Sequence, residues 1–274
     1  MSFSLTIKNL LKILYQFFLN KNLFHLERNV SIKNISEFFE LIRQNFIGVE
    51  LIRVGGKGDG GYLLPNDFDD IEFCFSPGVE NTASFENDLI GKGIHCYLAD
   101  NSVEKAPIAS DKITFIKKHI GVIDSDLYIT MDTWVNLYIK KHEGLGILQM
   151  DIEGGEYNAI LSMSMENLKK FKYIIIEFHD LHQFINPIVY STFFSTFNKI
   201  LSQFNIVHIH PNNYSKINSC YEFQIPRALE FTFMNKTCNI KQAYIPTFPH
   251  KLDSINNPNM KEIVLPTCWQ PFNT

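Results

Sequence analysis

The chain has 274 residues, 45% of them hydrophobic, so it can bury a full core as one large domain or as one domain with small additions. Its formal net charge at pH 7 is -4 and its arginines lie far apart, which argues against a nucleic-acid partner. The five cysteines are widely spaced and never form a CxxC pair. This spacing argues against a zinc ribbon or a disulfide framework and favours a location in the reducing cytoplasm.

Residues 1–50 are predicted to form an N-terminal helical extension, and residues 51–274 are predicted to form the main domain. Apolar residues at helical spacing between Leu5 and Phe18 predict an amphipathic first helix. Lys8 and Lys12 interrupt it and no small-residue cleavage site follows, so it resembles neither a signal peptide nor a transmembrane segment. Two roles stay open: packing on the body of the protein or on a second subunit, as in a homo-oligomer, and lying on a membrane surface.

After residue 50, short apolar runs alternate with segments of helical periodicity, including residues 84–93, 156–171 and 186–204. This order predicts an α/β fold: a doubly wound, mostly parallel sheet with helices on both faces. Ligands of such sheets bind beyond the carboxyl ends of the strands. The predicted strands are IEFCFSP (71–77), HCYLAD (95–100), ITFIKKHI (113–120), LGILQMDIE (145–153), KYIIIEFH (172–179), IVHIHP (206–211) and ALEFTFMN (228–235).

A glycine-rich segment, GKGDGG at residues 56–61, satisfies the GxGxxG pattern of dinucleotide-binding loops. The context does not fit, because YLLPND follows and Pro65 prevents a helix from starting inside the motif. Two readings stay open, a loop that contacts a ligand and a plain hairpin turn. The motif makes a nucleotide-sugar oxidoreductase the second enzyme class to consider.

A better candidate for a cofactor loop is CFSPGVENTASFENDL at residues 74–89, which leads from the first predicted strand into a helix. Gly78 permits a tight turn. Either Ser84 or Asn81 is predicted to cap the helix that begins near Phe85.

This loop carries Glu80 and Glu86, which would repel a phosphate but suit a cofactor with a cationic centre, such as S-adenosylmethionine. The second predicted strand ends in LADNS, where Asp100 can accept hydrogen bonds from both hydroxyls of a ribose. The alternative is that Asp100 is a turn or cap residue.

The fourth predicted strand ends in LQMDIEGGEYNAIL, residues 148–161. Asp151 and Glu153 are two apart on an extended chain and therefore project from the same face. Glu156 follows two glycines and is predicted to stabilise the start of the next helix. Asp151 has no such role, because it ends an apolar strand where a hydrophobic residue would pack.

The next strand contributes Glu177 and His179, which share a face. Neighbouring parallel strands lie about 5 Å apart, so Asp151, Glu177 and His179 are predicted to converge. Three interpretations stay open: ligands of a divalent ion that lowers the pKa of a substrate hydroxyl, a metal-free general base, and a structural hydrogen-bonded cluster.

The last part of the chain supplies HIHPNNYS (208–215) and RALEFTF (227–233). His208 and His210 alternate with apolar residues on a strand, and at least one is predicted to be a core histidine. Asn212, Asn213 and Glu230 are candidates for binding sugar hydroxyls. A turn is the alternative for the asparagine pair.

Several stretches together resemble the FkbM-type S-adenosylmethionine-dependent methyltransferases, from about residue 50 to the end. This resemblance implies a class I methyltransferase fold with an antiparallel last strand, and methyl transfer to an oxygen. It also implies carbohydrate acceptors, often in bacterial surface polysaccharide synthesis. The stretches are DGGY (59–62), SPGVENTASFE (76–86), TMDTW (130–134), QMDIEGGEYNAI (149–160), IIIEFHDLH (174–182), HPNN (210–213) and IPRALEFTF (225–233).

The resemblance also assigns site residues. Asp151 takes the position of a metal ligand in related metal-dependent enzymes, so Mg²⁺ or Mn²⁺ is a possible second cofactor, with Glu177 and His179. The catalytic residues are expected to be Asp151, His179 and Glu153, with Asp151 and His179 removing the proton of the acceptor hydroxyl. The residues expected at S-adenosylmethionine are Asp59, Tyr62, Gly78, Glu80, Asn81, Ser84, Phe85, Glu86, Asp100 and Asn101.

The sequence thus predicts a cytoplasmic sugar O-methyltransferase of capsule or lipopolysaccharide biosynthesis, which acts on a small-molecule sugar or nucleotide sugar. The alternatives are a nucleotide-sugar oxidoreductase and a non-catalytic Rossmann-like binding protein.

Overall fold

The structure is a computed structural model, and it describes residues 9–17, 29–214, 216–238 and 246–271. The strands in the described part are β1 (Leu51–Val54), β2 (Tyr62–Pro65), β3 (Ile71–Pro77), β4 (His95–Ala99), β5 (Ile113–Ile116), β6 (His119–Gly121), β7 (Tyr128–Thr130), β8 (Leu145–Met150), β9 (Phe171–Phe178), β10 (Phe204–Pro211), β11 (Ile217–Cys220), β12 (Phe223–Pro226) and β13 (Leu229–Asn235).

A seven-stranded sheet in the order β10-β13-β9-β8-β3-β4-β5 forms the centre of the molecule. Its strands are parallel except β13, which runs antiparallel to both β9 and β10. The predicted α/β fold class is confirmed, because each of the seven apolar runs supplies one strand of this sheet. The strand order turns back after β5, because β8 lies on the other side of β3, and ligands of such folds bind at this kind of switch point.

Both faces of the sheet are covered, which explains why the strands read as continuous apolar runs. On β3, Phe73 and Phe75 enter one hydrophobic cluster and Cys74 enters the other. On β9, Ile174 and Ile176 alternate with neighbours on the opposite face in the same way. This alternation follows from the two-residue period of a strand.

The helices pack on these two faces. Pro187 begins the longest of them at a position where its missing N–H costs no hydrogen bond, and Asn186 caps it by accepting from the main-chain N of Ile188 at 2.9 Å. The α-helices in the described residues after 29 are α1 (Ile32–Gln44), α2 (Ser84–Gly91), α3 (Met131–Tyr138), α4 (Glu156–Ser162), α5 (Met165–Leu168) and α6 (Pro187–Leu201).

Residues 156–171, which have helical periodicity throughout, form two helices rather than one. The break occurs at Met163, and Ser164 caps α5 through its side chain. Asp132 holds the break in place because its carboxylate accepts hydrogen bonds from the N and Oγ of Ser164, both at 2.9 Å. The tertiary partner Asp132 therefore ends a helix that the local pattern would continue.

The division at residue 50 remains a prediction. Helix α1 lies before that point, yet it packs on the body: Phe38 and Phe39 lie edge-on to Trp269, with ring centroids 5.9 and 5.0 Å apart. Phe46 forms a bridge to Ile206 of β10. Residues 30–46 and the segment around Trp269 therefore share one hydrophobic cluster with the sheet.

The predicted first helix lies partly outside the described residues. Residues 9–17 are helical, and the side chains of this segment, including Leu10, Leu11 and Leu14, are exposed. Packing of these leucines on the body is therefore not observed. Within the described residues, the structure contains no helix with the length and apolarity needed to span a membrane.

Candidate active site

A cavity of about 470 Å³ lies at the carboxyl ends of β3, β4 and β8, beside the switch point between β3 and β8. Asp151 and Glu153 line it together with most residues predicted to bind the cofactor. Asn81 and Asn101 are not among its lining residues. The predicted cofactor residues that do line the cavity are Asp59, Tyr62, Gly78, Glu80, Ser84, Phe85, Glu86 and Asp100.

Gly78 lies where two strand ends meet. Its φ is +86°, and a Cβ at this position would lie 1.6 Å from the carbonyl oxygen of Asp151. The obstructing atom belongs to the backbone, so no rotation of a side chain relieves the contact. Glycine is therefore required here to bring the β3 loop against the Asp151 loop.

Two glutamates of the cavity wall hold left-handed backbone conformations, Glu80 with φ 43° and Glu153 with φ 54°. Non-glycine residues in this region cost of order 1–3 kcal/mol, and such strain concentrates at functional sites. Both carboxylates thus stand beside the cavity at a cost in folding free energy.

The predicted capping of α2 by Ser84 or Asn81 is wrong. The N-cap is Ala83, which makes no side-chain cap bond, and Ser84 is the first helical residue. The Ser84 hydroxyl instead donates to the carbonyl of Gly60 and accepts from the N–H of Gly56, both at 3.0 Å. Ser84 therefore fastens the glycine-rich segment to the cofactor loop.

That glycine-rich segment, residues 55–61, joins β1 and β2 as an antiparallel hairpin. It is a turn that also reaches the candidate site, because Asp59 and Gly60 line the cavity. No helix begins in it, so the dinucleotide-binding arrangement suggested by GxGxxG is absent from this segment.

A buried hydrogen-bonded chain runs under the cavity from Glu86 through Ser76 and Gln149 to Tyr62. The Ser76 hydroxyl is in contact with both Glu86 and, at 2.6 Å, Gln149 Oε1, but it has only one hydrogen to donate. Burial raises the pKa of Glu86 above its usual value. A protonated Glu86 that donates to Ser76 satisfies every group, since Gln149 Nε2 donates to the Tyr62 hydroxyl at 3.1 Å.

Asp100 lines the cavity and also holds the backbone around it. Its Oδ2 accepts from the N–H of Glu80 at 2.9 Å, and its Oδ1 accepts from the N–H and hydroxyl of Ser102, both at 2.7 Å. A carboxylate offers about four acceptor positions, so about one remains for a ribose hydroxyl. Asn101 pairs with His119 at 3.3 Å.

Sequence reasoning missed several lining residues. His119 and Ile120 on β6 and Tyr128 on β7 form one wall of the cavity, although these short strands carried no site signal. Gln149 was detectable, because it is a polar residue in the otherwise apolar strand LGILQM.

Beside the cavity, His179 is surrounded by carboxylates, as the sequence predicts for Asp151 and Glu177. Its Nε2 lies 3.7 Å from Asp151 Oδ1, 3.5 Å from Glu153 Oε2 and 3.6 Å from Glu177 Oε1. Its Nδ1 lies 3.1 Å from Glu156 Oε1. Glu156 is completely buried and also accepts from the N–H groups of Ile152 and Gly154, so it fixes the turn as well as the imidazole.

The protonation states of this cluster follow from burial and charge. Burial raises the pKa of Asp151 to about 7, with neighbouring carboxylates adding to the shift and His179 opposing it. Burial would lower the pKa of His179, but its bond to Glu156 and the nearby carboxylates raise it to about 9. At neutral pH the imidazole is therefore a cation, and Asp151 is the better proton acceptor of the two.

A row of polar side chains continues across the neighbouring strands. Glu177 of β9 lies opposite Glu230 of β13, which in turn lies opposite His210 of β10. Asn212 donates to Glu177 at 2.8 Å, and Asn256 donates to Glu230 at 2.6 Å. Burial raises the pKa of both glutamates.

Of the residues predicted to bind sugar hydroxyls, Asn213 has a structural role. Its amide donates to the carbonyl of Asn257 at 2.9 Å and accepts from the N–H of Asn257 at 2.8 Å. It is buried, so both ends of its amide hold the segment around residue 257. This turn-type use of asparagine is the alternative that the sequence left open.

This sheet order, with its single antiparallel strand and an acidic cavity at the switch point, is the architecture of Rossmann-like methyltransferases. Residues 81–216 match the family model described as Methyltransferase FkbM domain. Residues 81–216 therefore form an FkbM-type methyltransferase domain, and this family implies S-adenosylmethionine as the cofactor. The matched range is shorter than the resemblance seen in the sequence.

Comparison with solved structures gives distant likenesses. A crystal structure of a fibrillarin/Nop5p complex has 12% identity and a TM-score of 0.38, covering 63% of this chain and 75% of that chain. The Methanococcus jannaschii fibrillarin pre-rRNA processing protein has 13% identity and a TM-score of 0.36, covering 69% and 83%. No curated protein matches the sequence. Likenesses this distant assign no substrate to this chain.

Proposed function

We propose that this methyltransferase transfers a methyl group to a sugar hydroxyl, in the cytoplasm, during bacterial surface polysaccharide biosynthesis. The main supporting observation is the position of Asp151, which lines the cavity and begins the row of carboxylates and amides that leads to Glu230. Such groups can pair with both the donors and the acceptors of a diol. The acceptor is a small-molecule sugar or a nucleotide sugar.

The charge of the cavity wall suits S-adenosylmethionine. Carboxylates of Asp59, Glu80 and Asp100 line the cavity without a balancing Lys or Arg among its lining residues. An acidic, anion-repelling wall suits a cofactor with a sulfonium cation. When bound, this cofactor supplies an electrophilic methyl group.

The protein then has two tasks, to align the acceptor hydroxyl and to accept its proton. We assign the second task to the Asp151 carboxylate. His179 holds this carboxylate from one side as a cation, and Glu156 orients the imidazole through Nδ1. Glu153 adds negative charge beside the same pair. Asp151 is thus a general base that is oriented by His179, which Glu156 orients in turn.

A divalent ion is the second arrangement that the residues allow. Asp151 Oδ1 is buried without a hydrogen bond among the described residues, and His179 Nε2 faces both it and Glu177. Mg²⁺ or Mn²⁺ held by Asp151, Glu177 and His179 would lower the pKa of the acceptor hydroxyl. Glu156 would then be the outer carboxylate that orients the ligating histidine.

The first test is thermal unfolding of the full chain with S-adenosylhomocysteine, with and without Mn²⁺ and with chelator. A ligand at a hundredfold excess over its Kd adds about 2.7 kcal/mol to the unfolding free energy. A shift that needs Mn²⁺ would support the metal arrangement, and a shift unaffected by chelator would support the metal-free one. Stabilisation by reduced nicotinamide instead would contradict the proposal.

The acceptor is tested by incubating the enzyme with S-adenosylmethionine and a panel of nucleotide sugars, with the added methyl group located by mass spectrometry and NMR. Asp151→Asn should retain cofactor binding and lose about a hundredfold or more in turnover, the usual scale for lost acid/base catalysis. Asp111→Asn, which removes an exposed carboxylate before β5, is the matched control. A methyl group located on the base or phosphate of these acceptors, and never on a sugar hydroxyl, would refute the assignment.

A further inference from the structure

A second cluster of titratable residues lies outside the cavity, between β10 and the segment of residues 246–271. His208 and His210 are two apart on β10 and project from one face, and both are buried. The Asp253 side chain faces them, and one ligand atom from each of the three residues lies within 4.8 Å of the others. The proposed methyl transfer makes no use of this cluster.

Hydrogen bonds fix how the His210 ring is turned. Asn256 Nδ2 donates to Glu230 at 2.6 Å, so its Oδ1 is the atom that faces His210 Nε2 at 3.2 Å. An amide oxygen only accepts, and therefore Nε2 carries a hydrogen. In the neutral imidazole this leaves the lone pair on Nδ1, which points at Asp253 Oδ2, 3.6 Å away.

The two ring nitrogens that face Asp253 lack well-directed hydrogen bonds. His208 Nε2 and His210 Nδ1 are both buried and lie 2.9 and 3.6 Å from the Asp253 carboxylate, but neither contact has the geometry of a hydrogen bond. Two buried imidazole nitrogens that face one carboxylate need a cation between them and it, either a proton carried by the rings or a metal ion that all three residues ligate. Asn256 bonds the outer nitrogen of His210, and histidines that ligate metals usually have such an outer hydrogen-bond partner.

The distances between the three side chains are close to those of a zinc site. In a tetrahedral zinc site with bonds of about 2.0–2.1 Å, neighbouring ligand atoms lie about 3.3–3.4 Å apart. His208 Nε2 lies 2.9 Å from Asp253 Oδ1 and His210 Nδ1 lies 3.6 Å from Asp253 Oδ2, so each imidazole lies within about half an ångström of this separation from one oxygen of the carboxylate. Two imidazoles and one carboxylate suit zinc rather than magnesium, which prefers oxygen ligands.

We propose that His208, His210 and Asp253 form a zinc-binding site, distinct from the Asp151 cluster, that fastens the segment of residues 246–271 to β10. The ion would also act on the acceptor side of the candidate active site. Its ligand His210 contacts Asn256, and Asn256 holds Glu230 in the row that leads to Glu177 and Asp151. Loss of zinc should therefore loosen Glu230 as well as the segment.

The test is zinc binding by the full chain, stripped with chelator and then titrated with Zn²⁺ against a chromophoric competitor. We expect one zinc per chain at this site and a higher unfolding temperature in the loaded protein. Asp253→Asn should abolish both, while Asp151→Asn retains them and so separates this site from the other cluster. Asn256→Ala should weaken zinc affinity about 10–100-fold, the usual effect of removing an outer-shell partner.

His95→Ala is the control, because it removes one histidine without touching the cluster. His95 lies at the start of β4, where its ring bonds Thr114 of β5. Cobalt substitution of the wild-type protein gives a readout that does not depend on any variant folding. A His₂Asp tetrahedral site should give strong visible absorption bands. Absence of these bands, or full zinc stoichiometry in Asp253→Asn, would overturn the proposal and leave an Asp253–histidine ion pair.

Discussion

Replacing Gly78 by alanine should weaken both folding and cofactor binding. The new methyl group would lie 1.6 Å from the Asp151 carbonyl oxygen and 2.7 Å from its carbonyl carbon. An ordinary contact needs more than 3 Å, so the β3 and β8 loops must separate by well over 1 Å. The positive φ adds about 1–2 kcal/mol of strain, and an overpacked contact adds about 1–3 kcal/mol.

We therefore expect Gly78→Ala to lower the unfolding free energy by about 2–5 kcal/mol. At about 2–4 °C per kcal/mol, a loss of 3 kcal/mol lowers Tm by about 6–12 °C. Because the displaced loops border the cavity, S-adenosylhomocysteine should bind at least tenfold more weakly in calorimetry at a temperature where the variant is folded.

Gly91→Ala is the matched control for Gly78. It lies at the end of α2, after the same loop, and a Cβ there would meet no atom within 4 Å. Its Tm should stay level or rise, because alanine favours helix over glycine by up to about 1 kcal/mol. If Gly78→Ala matched this control in both Tm and affinity, the close approach at Asp151 would not constrain the site.

The remaining predictions concern protonation. Turnover should rise with pH through about 7, where Asp151 loses its proton, and fall above about 9, where His179 loses its charge. Steady-state kinetics across pH 5–10 should therefore give a bell-shaped pH profile. A flat profile would exclude Asp151 and His179 as the catalytic pair. For Glu86, whose folded pKa is raised, wild-type stability should be greatest below the unfolded pKa and should decline as pH rises above it. Glu86→Gln should lose this decline. In denaturant unfolding, the unfolding free energy should therefore fall less between pH 4 and pH 8 in the variant than in the wild type. Equal pH dependence in the two proteins would show that Glu86 is ionised.

The sheet was predictable because its strands are buried on both faces, and continuous apolar runs record that burial directly. The peripheral elements were not. The strands β6 and β7 have only three residues each, and their pairing depends on neighbours rather than on a local pattern. The break between α4 and α5 depends on Asp132, which lies 32 residues before Ser164.

The residues of the candidate site were also predictable only in part. Asp151 was detectable because a carboxylate ends an apolar strand, and Glu177 and His179 because they end the adjacent strand. The sequence could not predict that the pKa of His179 lies above that of Asp151, because this order depends on burial and on Glu156. The sequence suggests Glu156 only as a charge at the start of a helix. Ser84 shows the opposite error: a residue type typical of helix caps is used for a contact with Gly60.

The position of Gly78 relative to the matched family range has a consequence for protein engineering. The range begins at residue 81, between two residues of the cofactor loop, while Asp59, Tyr62 and Gly78 lie before it. A chimera joined with a relative at that boundary would take one wall of the cavity from each parent. Exchange of acceptor specificity between such enzymes therefore requires a junction before β1, so that the hairpin, Gly78 and the Asp151 loop are inherited together.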